Sequence, residues 1–323
     1  METYLGLDFG GTKLFIGEVD SDGNILSGKK YSTGYVNQQS AVDIIKSSLS
    51  DYLRTVGCGD RHPSAIGIGL IGRVDSDSGQ WLQIDGDRSQ AIDLAYDITE
   101  TFGLPCFLSN DVKSATTAEQ CWGYGKMSDN FVYINIGTGI AAGTVIDGRL
   151  TRGSHFNAGE VGHTQVGVSV GVKCCCGRRD CVEAIASGSG FDLCARMMKP
   201  HYPESALELP RQSGERVDVR RIYELARMND SLCETLVDNA ATGIANLIMN
   251  LVRVTDPDTV ILGGGIVSDP MMYNKIMMRL HQHTMRFVTN GVVLTRLDPA
   301  NIGLLGAAAV AMSGYRKLQN KEQ

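Results

Sequence analysis

The sequence predicts a two-domain α/β protein, and three observations carry that prediction. Strand-like and helix-like stretches alternate along the chain, which is typical of α/β folds. A length of 323 residues exceeds what one hydrophobic core usually serves, so two domains are expected. A strand, a glycine-containing turn and a returning strand occur near the start and again near residue 131, which indicates two related halves.

The first half is predicted to open with a β-hairpin around a polar turn. Residues 4–7 and 14–19 are apolar enough for two strands, and a third strand follows a second turn. Beyond it, the spacing of apolar residues defines the elements. These are helices over residues 40–56, 91–102 and 115–123, strands over residues 65–70 and 106–109, and a polar loop over residues 79–88.

The second half repeats this opening and continues with longer helices. Residues 131–136 and 141–146 predict another hairpin around a Gly-Thr-Gly turn. The later elements are helices over residues 220–228, 231–255 and 303–313, and a strand over residues 259–262 that runs into three glycines. We therefore expect an N-terminal domain over residues 1–120, completed by a C-terminal helix over residues 304–323, and a larger domain over residues 121–303.

Composition argues against several classes of protein. A net charge of −6 and a pI near 5.5 disfavour a nucleic-acid-binding surface. The chain has neither an apolar run of about 18 residues nor a charged-then-apolar leader, so we expect a cytoplasmic protein without a membrane segment. In a reducing compartment its nine cysteines serve as core residues or metal ligands. Those expected in the core are Cys58, Cys106, Cys194 and Cys233.

The densest chemistry lies between residues 159 and 183. Cys174, Cys176 and Cys181 can surround one cation, and the upstream His163 can supply a fourth ligand. Three thiolates and one imidazole suit tetrahedral Zn²⁺ in a structural site. The second ring nitrogen of His163 would remain for another ligand. An iron–sulfur cluster, and a metal-free loop in which cysteines happen to cluster, are the alternatives.

Two strand–turn–strand segments predict a phosphate site, although the chain has no Walker-type P-loop. Glycine lets backbone N–H groups approach phosphate oxygens, and threonine hydroxyls add donors. Asp8 precedes the first turn, where a carboxylate could hold a Mg²⁺ ion that bridges phosphates. Each hairpin alone would be an ordinary turn, and their repetition favours the phosphate interpretation. The turn residues are Gly10, Gly11, Thr12 and Lys13 in the first segment, and Gly137, Thr138 and Gly139 in the second.

Another glycine motif suggests a nicotinamide oxidoreductase. Gly67, Gly69 and Gly72 match the dinucleotide pattern Gly-x-Gly-x-x-Gly, with Asp93 about 20 residues beyond. That pattern requires a helix directly after the glycines, whereas polar turn formers follow them here. The sequence therefore disfavours this class of enzyme.

Asn110 and Asp111 close a predicted strand, which is where α/β proteins place reactive groups. A carboxylate there can take a proton from a substrate hydroxyl while the neighbouring amide orients the substrate. The alternative is that the two residues only cap a helix.

Together these motifs resemble the ROK family of sugar kinases and related repressors, and the resemblance runs nearly end to end. It implies the actin-like (ribonuclease H-like) ATPase fold, with two domains built from duplicated βα halves. It also implies ATP-dependent phosphorylation of a hexose or hexose derivative at its 6-hydroxyl, with ATP, catalytic Mg²⁺ and structural Zn²⁺. The expected partners are the sugar and ATP, without nucleic acid or membrane, and the expected assembly is a homodimer.

The resemblance assigns roles to single residues. Asp111 would be the catalytic base, and Asp8 would support Mg-ATP beside the two glycine turns. Gly263, Gly264 and Gly265 match the family's adenosine-side turn. The implied sugar contacts are Asn110, Asp111, Glu160, His163 and Glu183, and the implied zinc ligands are His163, Cys174, Cys176 and Cys181.

The chain departs from the family's pattern in ways that bear on function. Ala141 and Ala142 stand where the family usually has two glycines, and Asp180 stands at another glycine position. The family's sugar loop is missing, and the best match by position to its asparagine is Asp85, unless that loop stays in solvent. Cys175 could compete as a metal ligand. The identity of the sugar is therefore open.

Two other functions are compatible with the resemblance. One is a sugar-binding protein with little or no kinase activity, which the alanines at positions 141 and 142 make conceivable. The other is a sugar-responsive repressor. The first phosphate motif begins at residue 8, which leaves no room for an N-terminal DNA-binding domain, and the acidic pI agrees with that.

Overall fold

Strands and helices alternate through the structure, a computed structural model that describes residues 1–34, 37–84, 90–212 and 214–320. The chain divides into two compact units. Unit 1 comprises Met1–Met127, Leu150–Ala158 and Arg296–Gln323, and unit 2 comprises Ser128–Arg149 and Gly159–Thr295.

Unit 1 is built on a five-stranded sheet with helices on both faces. In the order β3-β2-β1-β4-β7, the first three strands are antiparallel, and β4 and β7 run parallel to β1. The strands are β1 (Thr3–Phe9), β2 (Lys13–Asp20), β3 (Ile25–Ser32), β4 (Ile66–Leu70), β5 (Arg73–Asp75), β6 (Gln80–Gln83) and β7 (Cys106–Asn110). The helices are α1 (Gln38–Thr55), α2 (Leu94–Phe102), α3 (Asp111–Trp122), the 3₁₀ turn Tyr124–Met127 and the C-terminal helix α10 (Ile302–Gln319).

Unit 2 repeats this sheet arrangement. In the order β10-β9-β8-β11-β12, a β8–β9 hairpin is followed by two strands parallel to β8. The same pattern in both units confirms the predicted duplication. The strands are β8 (Phe131–Ile136), β9 (Ile140–Ile146), β10 (Arg149–Leu150), β11 (Thr259–Gly263) and β12 (Gly291–Leu294). The helices are α4 (Val182–Ala186), α5 (Gly188–Met198), α6 (Val219–Arg227), α7 (Ser231–Thr255), α8 (Pro270–Met277) and α9 (Gln282–Met285), with 3₁₀ turns at Val161–His163 and Lys199–His201.

The glycines that resembled a dinucleotide motif allow a helix to approach the sheet of unit 1. A Cβ atom at Gly67 would collide with the carbonyl oxygen of Ala307 in α10, and one at Gly69 would lie 3.3 Å from Ser114 Oγ in α3. Gly72 has φ +83°, which favours glycine. No helix follows directly, because β5 begins at Arg73. These glycines therefore have packing and turn roles.

The loop predicted over residues 79–88 was wrong in its first part. Gln80–Gln83 forms β6, which pairs antiparallel with β5. The strand forms because the fully buried Trp81 packs edge-on against Phe9 and donates its indole N–H to Ile71 O at 3.0 Å. Because Trp81 is surrounded by polar residues in the sequence, no alternating apolar pattern indicates this strand.

Three boundaries also differ from the prediction. Helix α2 begins at Leu94 instead of residue 91, because Ile92 forms a bridge to Trp81. Helix α3 begins at Asp111 instead of residue 115. The predicted domain boundary at residue 120 left residues 150–158 in the larger domain, whereas Leu150–Ala158 lies in unit 1. There the buried Lys113 donates to Phe156 O at 2.8 Å.

The helices of the described ranges are all too short or too polar to cross a membrane.

Candidate functional site

Two carboxylates of unit 1 lie at the carboxyl ends of parallel strands. Asp8 is near the end of β1 and Asp111 follows β7 directly, with β4 between these strands. Burial and, to a lesser extent, the charge of Asp111 raise the pKa of Asp8 to about 6, while Lys30 opposes that shift. The two carboxylates therefore repel each other, and a divalent cation bound between or beside them would relieve the repulsion.

Gly303 in the first turn of α10 brings that helix onto Asp8. A Cβ atom at position 303 would collide with the Asp8 carboxylate. The N-terminal turn of a helix carries a partial positive charge, which favours a carboxylate there. The small residues of this segment predict a helix from residue 303, but the contact of its first glycine with Asp8 is not visible in the sequence.

Asn110 caps α3, as the simpler alternative predicted. Its Oδ1 accepts from the N–H groups of Val112 and Lys113 at 3.1 and 3.3 Å, and its Nδ2 donates to Gly72 O at 3.0 Å. Asp111 Oδ1 accepts from the Val112 N–H at 2.9 Å. These bonds fix both side chains, and the amide nitrogen of Asn110 still carries a second hydrogen that can meet a ligand.

The first glycine turn joins β1 to β2. The Gly10 N–H donates to Lys13 O at 2.9 Å and closes the turn. A Cβ atom at Gly11 would meet no atom of the described chain within 4 Å, and Gly11, Thr12 and Lys13 are exposed. The backbone of this turn is therefore accessible to a ligand such as a phosphate.

The second glycine turn in unit 2 is tied to Glu183. Its Gly137 N–H donates to Gly139 O at 3.0 Å. The N–H of Ile140, the residue after the turn, donates to Glu183 Oε2 at 2.8 Å. A Cβ atom at Gly139 would approach that same oxygen to 2.8 Å. Thr138 lies in the same turn. Sequence reasoning assigned Glu183 to the sugar and missed its contact with this turn.

The third glycine group follows β11. Gly263 lies against the side chain of Tyr133, and Gly264, at φ +93°, lies against the backbone of Ile136 at the end of β8. A side chain at either position would collide with these atoms. A Cβ atom at Gly265 would meet no atom of the described chain within 4 Å. The backbone at the end of this group is therefore open.

The predicted metal ligands come together in unit 2. The ligand atoms of His163, Cys174, Cys176 and Cys181 all lie within 4.8 Å of one another. The Cys176 and Cys181 sulfurs are 3.6 Å apart, and Cys174 Sγ is 3.4 Å from His163 Nδ1. A tetrahedral zinc site has S–S and S–N edges of about 3.8 and 3.6 Å. The four residues therefore fit one zinc ion.

The thiols of this loop differ in their electrostatics, because burial raises the pKa of the Cys181 thiol to about 12 whereas the pKa of the Cys176 thiol is lowered. The backbone N–H of Arg178, the largest contribution, lowers the pKa of the Cys176 thiol to about 6. Cys175 is exposed and lies outside the group of four, with its sulfur 4.0 Å from Glu183 Oε1. The expected competition by Cys175 is therefore not seen in the arrangement of these side chains.

Asp180 explains one departure from the family's pattern. Its φ of 55° lies in the left-handed region, which favours the glycine that the family resemblance implies at this position. Its Oδ1 accepts from the N–H groups of Val170, Gly171 and Val172 at 3.2, 2.7 and 3.0 Å. The side chain thus ties residues 170–172 to the thiol loop and compensates for the backbone strain.

Glu160 and His163 are placed by close backbone packing against β9. Gly159 has φ +104°, and a Cβ atom there would collide with Ala142 O; one at Gly162 would collide with Ile140 O. The Ala142 N–H donates to Gly159 O at 2.8 Å. Glu160 Oε2 and His163 Nε2 are then 4.0 Å apart.

Ala142 and Ala141 lie on opposite faces of β9. Ala142 is 2% exposed and belongs to the hydrophobic core of unit 2.

Asp85, the last predicted sugar contact, lies outside the described residues. The structure thus groups Asn110, Asp111, Asp8 and the first turn in unit 1, and Glu160, His163, Glu183, the cysteines and the other two glycine groups in unit 2.

Comparisons with known proteins point to one family. The sequence matches the model described as "ROK family" over residues 4–313. It is 28% identical over 309 residues to a glucokinase from Thermotoga maritima, covering 95% of this chain and 96% of that one. An N-acetylmannosamine kinase from Haemophilus influenzae is 36% identical over 162 residues, which are 50% and 49% of the two chains.

A solved structure extends the similarity to the fold. The ROK family glucokinase from Streptomyces griseus, in complex with glucose and AMPPNP, matches with a TM-score of 0.75 and 28% identity. The match covers 97% of this chain and 100% of that chain. This similarity confirms the predicted two-domain actin-like ATPase fold.

We expect protein purified without added zinc to retain about one zinc ion per chain. Cys181→Ser should lose it, because three ligands cannot close a structural site, whereas Cys194→Ala, which removes a buried thiol outside the group, should keep it. Elemental analysis of dialysed protein measures both. A zinc-free wild-type protein with an intact fold would contradict the assignment.

Substitutions at Asp180 should separate backbone strain from hydrogen bonding. Asp180→Asn retains an acceptor and tolerates positive φ, so its melting temperature should stay close to that of the wild type. Asp180→Gly loses only the acceptor, and Asp180→Ala loses the acceptor and adds strain. We expect the free energy of unfolding to be highest for Asp180→Asn, lower for Asp180→Gly and lowest for Asp180→Ala. The difference between the first and the last should be about 1–3 kcal/mol. Equal stability of Asn and Ala would refute this role.

Asp8 should make the ligand-free protein less stable at neutral pH than at acidic pH. Because its folded pKa is raised from 3.8 to about 6, the folded state keeps a proton that the unfolded state loses between these values. Stability from this group is therefore lost as pH rises from about 4 to 6.

Asp8→Asn should remove this penalty, worth at most about 3 kcal/mol at pH 8. Denaturant unfolding in metal-free buffer should show the variant more stable than wild type at pH 8, with the difference shrinking towards pH 4. A constant difference across this range would show that Asp8 ionises normally.

Proposed function

Because the chain belongs to the ROK family, we propose that it transfers the γ-phosphoryl group of ATP to a hexose or a hexose derivative, at the 6-hydroxyl. The relatives that match this chain along its length are named as sugar kinases, which supports the assignment as a carbohydrate kinase. Use of ATP is supported by the related glucokinase structure that contains AMPPNP.

The observation that carries the proposal is the position of Asp8 and Asp111 at the carboxyl ends of parallel strands in unit 1, where burial and, to a lesser extent, the charge of Asp111 raise the pKa of Asp8. A fold gains nothing in stability from two carboxylates that raise each other's energy. Such a pair is useful when one carboxylate attracts a Mg²⁺ ion and the other accepts a proton. Both events belong to phosphoryl transfer to a hydroxyl.

In this proposal each residue has a separate task. Asp111 accepts the proton of the attacking sugar hydroxyl. The side chain of Asn110, which is held in place because it caps α3, orients that sugar. The open backbone at Gly11 and the turn at Gly137–Gly139 bind phosphate oxygens. Asp8 would hold the Mg²⁺ ion, directly or through water, and that ion would neutralise phosphate charge.

The proposed sugar contacts also include Glu160, His163 and Glu183. A zinc ion on His163 and the three thiols would stiffen the loop that carries these residues. The turn at Gly263, Gly264 and Gly265 would accept the adenosine side of ATP. Asp85 remains a proposed sugar contact that rests on position in the sequence.

A binding protein without kinase activity is the second candidate, since the family includes regulators. Its sequence argument was the pair of alanines after the second glycine turn. The burial of Ala142 in the core weakens that argument for its methyl group, whereas Ala141 lies on the opposite face of β9. The cytoplasmic location, the homodimer and the lack of nucleic-acid binding stay predictions.

The proposed function is tested by assaying purified protein with Mg-ATP against a panel of hexoses and N-acetylhexosamines. Formation of ADP that depends on one sugar, with the product phosphorylated at its 6-position, supports the kinase. Tight binding of a sugar without ADP formation supports the second candidate. Including Asp85→Asn in the panel tests whether that position changes the order of preferred sugars.

Asp111→Asn should lower kcat by about 10²–10⁴-fold while sugar affinity stays near that of the wild type. The amide cannot accept the proton, but it preserves the size of the side chain and the start of α3. Asp97→Asn, the same change in the first turn of α2, serves as the control and should leave kcat unchanged. A folded Asp111→Asn variant with wild-type turnover would exclude Asp111 as the base.

A further inference from the structure

A second group of metal-type ligands lies beside the first in unit 2. The ligand atoms of His163, Cys175 and Glu183 are all within 4.8 Å of one another. Of these residues only His163 also belongs to the group with Cys174, Cys176 and Cys181. The second group therefore depends on Cys175, the thiol that the first group does not use.

Glu183 has one oxygen available for such a group. Its Oε2 accepts the N–H of Ile140 at 2.8 Å, whereas Oε1 faces Cys175 Sγ at 4.0 Å. A tetrahedral zinc site would bring a sulfur and an oxygen to about 3.6 Å. Because Cys175 is exposed, a small rotation of its side chain can close this difference.

His163 can serve both groups because its ring has two nitrogens. Nδ1 lies 3.4 Å from Cys174 Sγ, on the side of the first group. Nε2 is the other nitrogen, and its described neighbour is Glu160 Oε2 at 4.0 Å. A neutral imidazole has a lone pair on only one ring nitrogen, so the second cation would displace the Nε2 proton to water and leave an imidazolate that bridges both cations. On that condition occupation of the first group does not exclude the second.

We propose that His163, Cys175 and Glu183 form a second, weaker site for a thiophilic divalent cation such as Zn²⁺ or Cd²⁺. A thiolate, an imidazole and a carboxylate are ligands that Zn²⁺ accepts, and water completes the coordination of a three-ligand site. The site is weaker than the first because it has fewer thiolates and all three of its residues are at least partly exposed.

The cation would inhibit sugar phosphorylation, a consequence that rests on the proposed function. His163 and Glu183 are two of the proposed sugar contacts. A bound cation takes the Glu183 lone pairs that would accept sugar hydroxyl groups, and it displaces the Nε2 proton that His163 would donate to the sugar. Sugar and cation would therefore exclude each other, and free zinc would act as a competitive inhibitor of this kinase.

The site itself is tested by metal stoichiometry, without any assay of activity. Dialysed protein is equilibrated with free Zn²⁺ held at micromolar concentration by a metal buffer, and its metal content is measured. Wild-type protein should bind about two ions per chain, and Cys175→Ser about one. Cys121→Ser, a thiol of unit 1 outside both groups, should bind about two.

Each deviation from this pattern refutes the site. A single ion in the wild type means that no second site exists. Two ions in Cys175→Ser place the second ion elsewhere. Loss of a direct ligand should weaken the second site by roughly tenfold or more, since removing even an outer-shell partner costs that much. A smaller change would also contradict the role of Cys175.

Inhibition is measured separately with the best sugar of the panel. Free Zn²⁺ should raise the apparent KM for the sugar without changing kcat in the wild type and in Cys121→Ser, and should lose this effect in Cys175→Ser. Equal inhibition of all three proteins would disprove the competition. If no sugar is phosphorylated, the proposed function fails, and the stoichiometry still decides whether the metal site exists.

Discussion

The hydrogen bond from the Ile140 N–H to the Glu183 carboxylate is the contact on which the chemistry of unit 2 depends. Glu183 lies in the first turn of helix α4, two residues after Cys181. Ile140 directly follows the glycine turn of the β8–β9 hairpin. One carboxylate therefore joins the thiol loop, a helix and the turn. A hydrogen bond to an ionised group is stronger than one between neutral groups, so displacement of one segment acts on the other two.

Local sequence patterns predicted the framework of the fold. The two hairpins, the alternation of elements and the long helix α7 follow from the periodicity of apolar residues, which a single chain displays directly. The features that were missed depend on contacts between distant residues. Strand β6 needs the pocket that receives Trp81, and the assignment of Leu150–Ala158 to unit 1 needs Lys113. Neither partner is visible from the local sequence.

The candidate site was predictable to the same extent. Residue types and spacing identified the thiol group and the Asn-Asp pair, because ligand chemistry restricts which side chains can occur together. They did not reveal that Asn110 both caps α3 and lies at the site, that Gly303 admits Asp8, or that Asp180 ties a neighbouring loop. These roles depend on backbone conformation and on close approach, which residue identity leaves undetermined.

The packing of α10 on the sheet of unit 1 has a consequence for biosynthesis. Gly6 and Gly67 leave room for α10, and without this helix the sheet would expose the apolar face that contains Tyr4 and Val19. The ribosome releases α10 only after all of unit 2 has been made. Unit 2 can therefore fold first, while the N-terminal strands wait with an uncovered face, and chaperone binding should concentrate on these strands in the nascent chain.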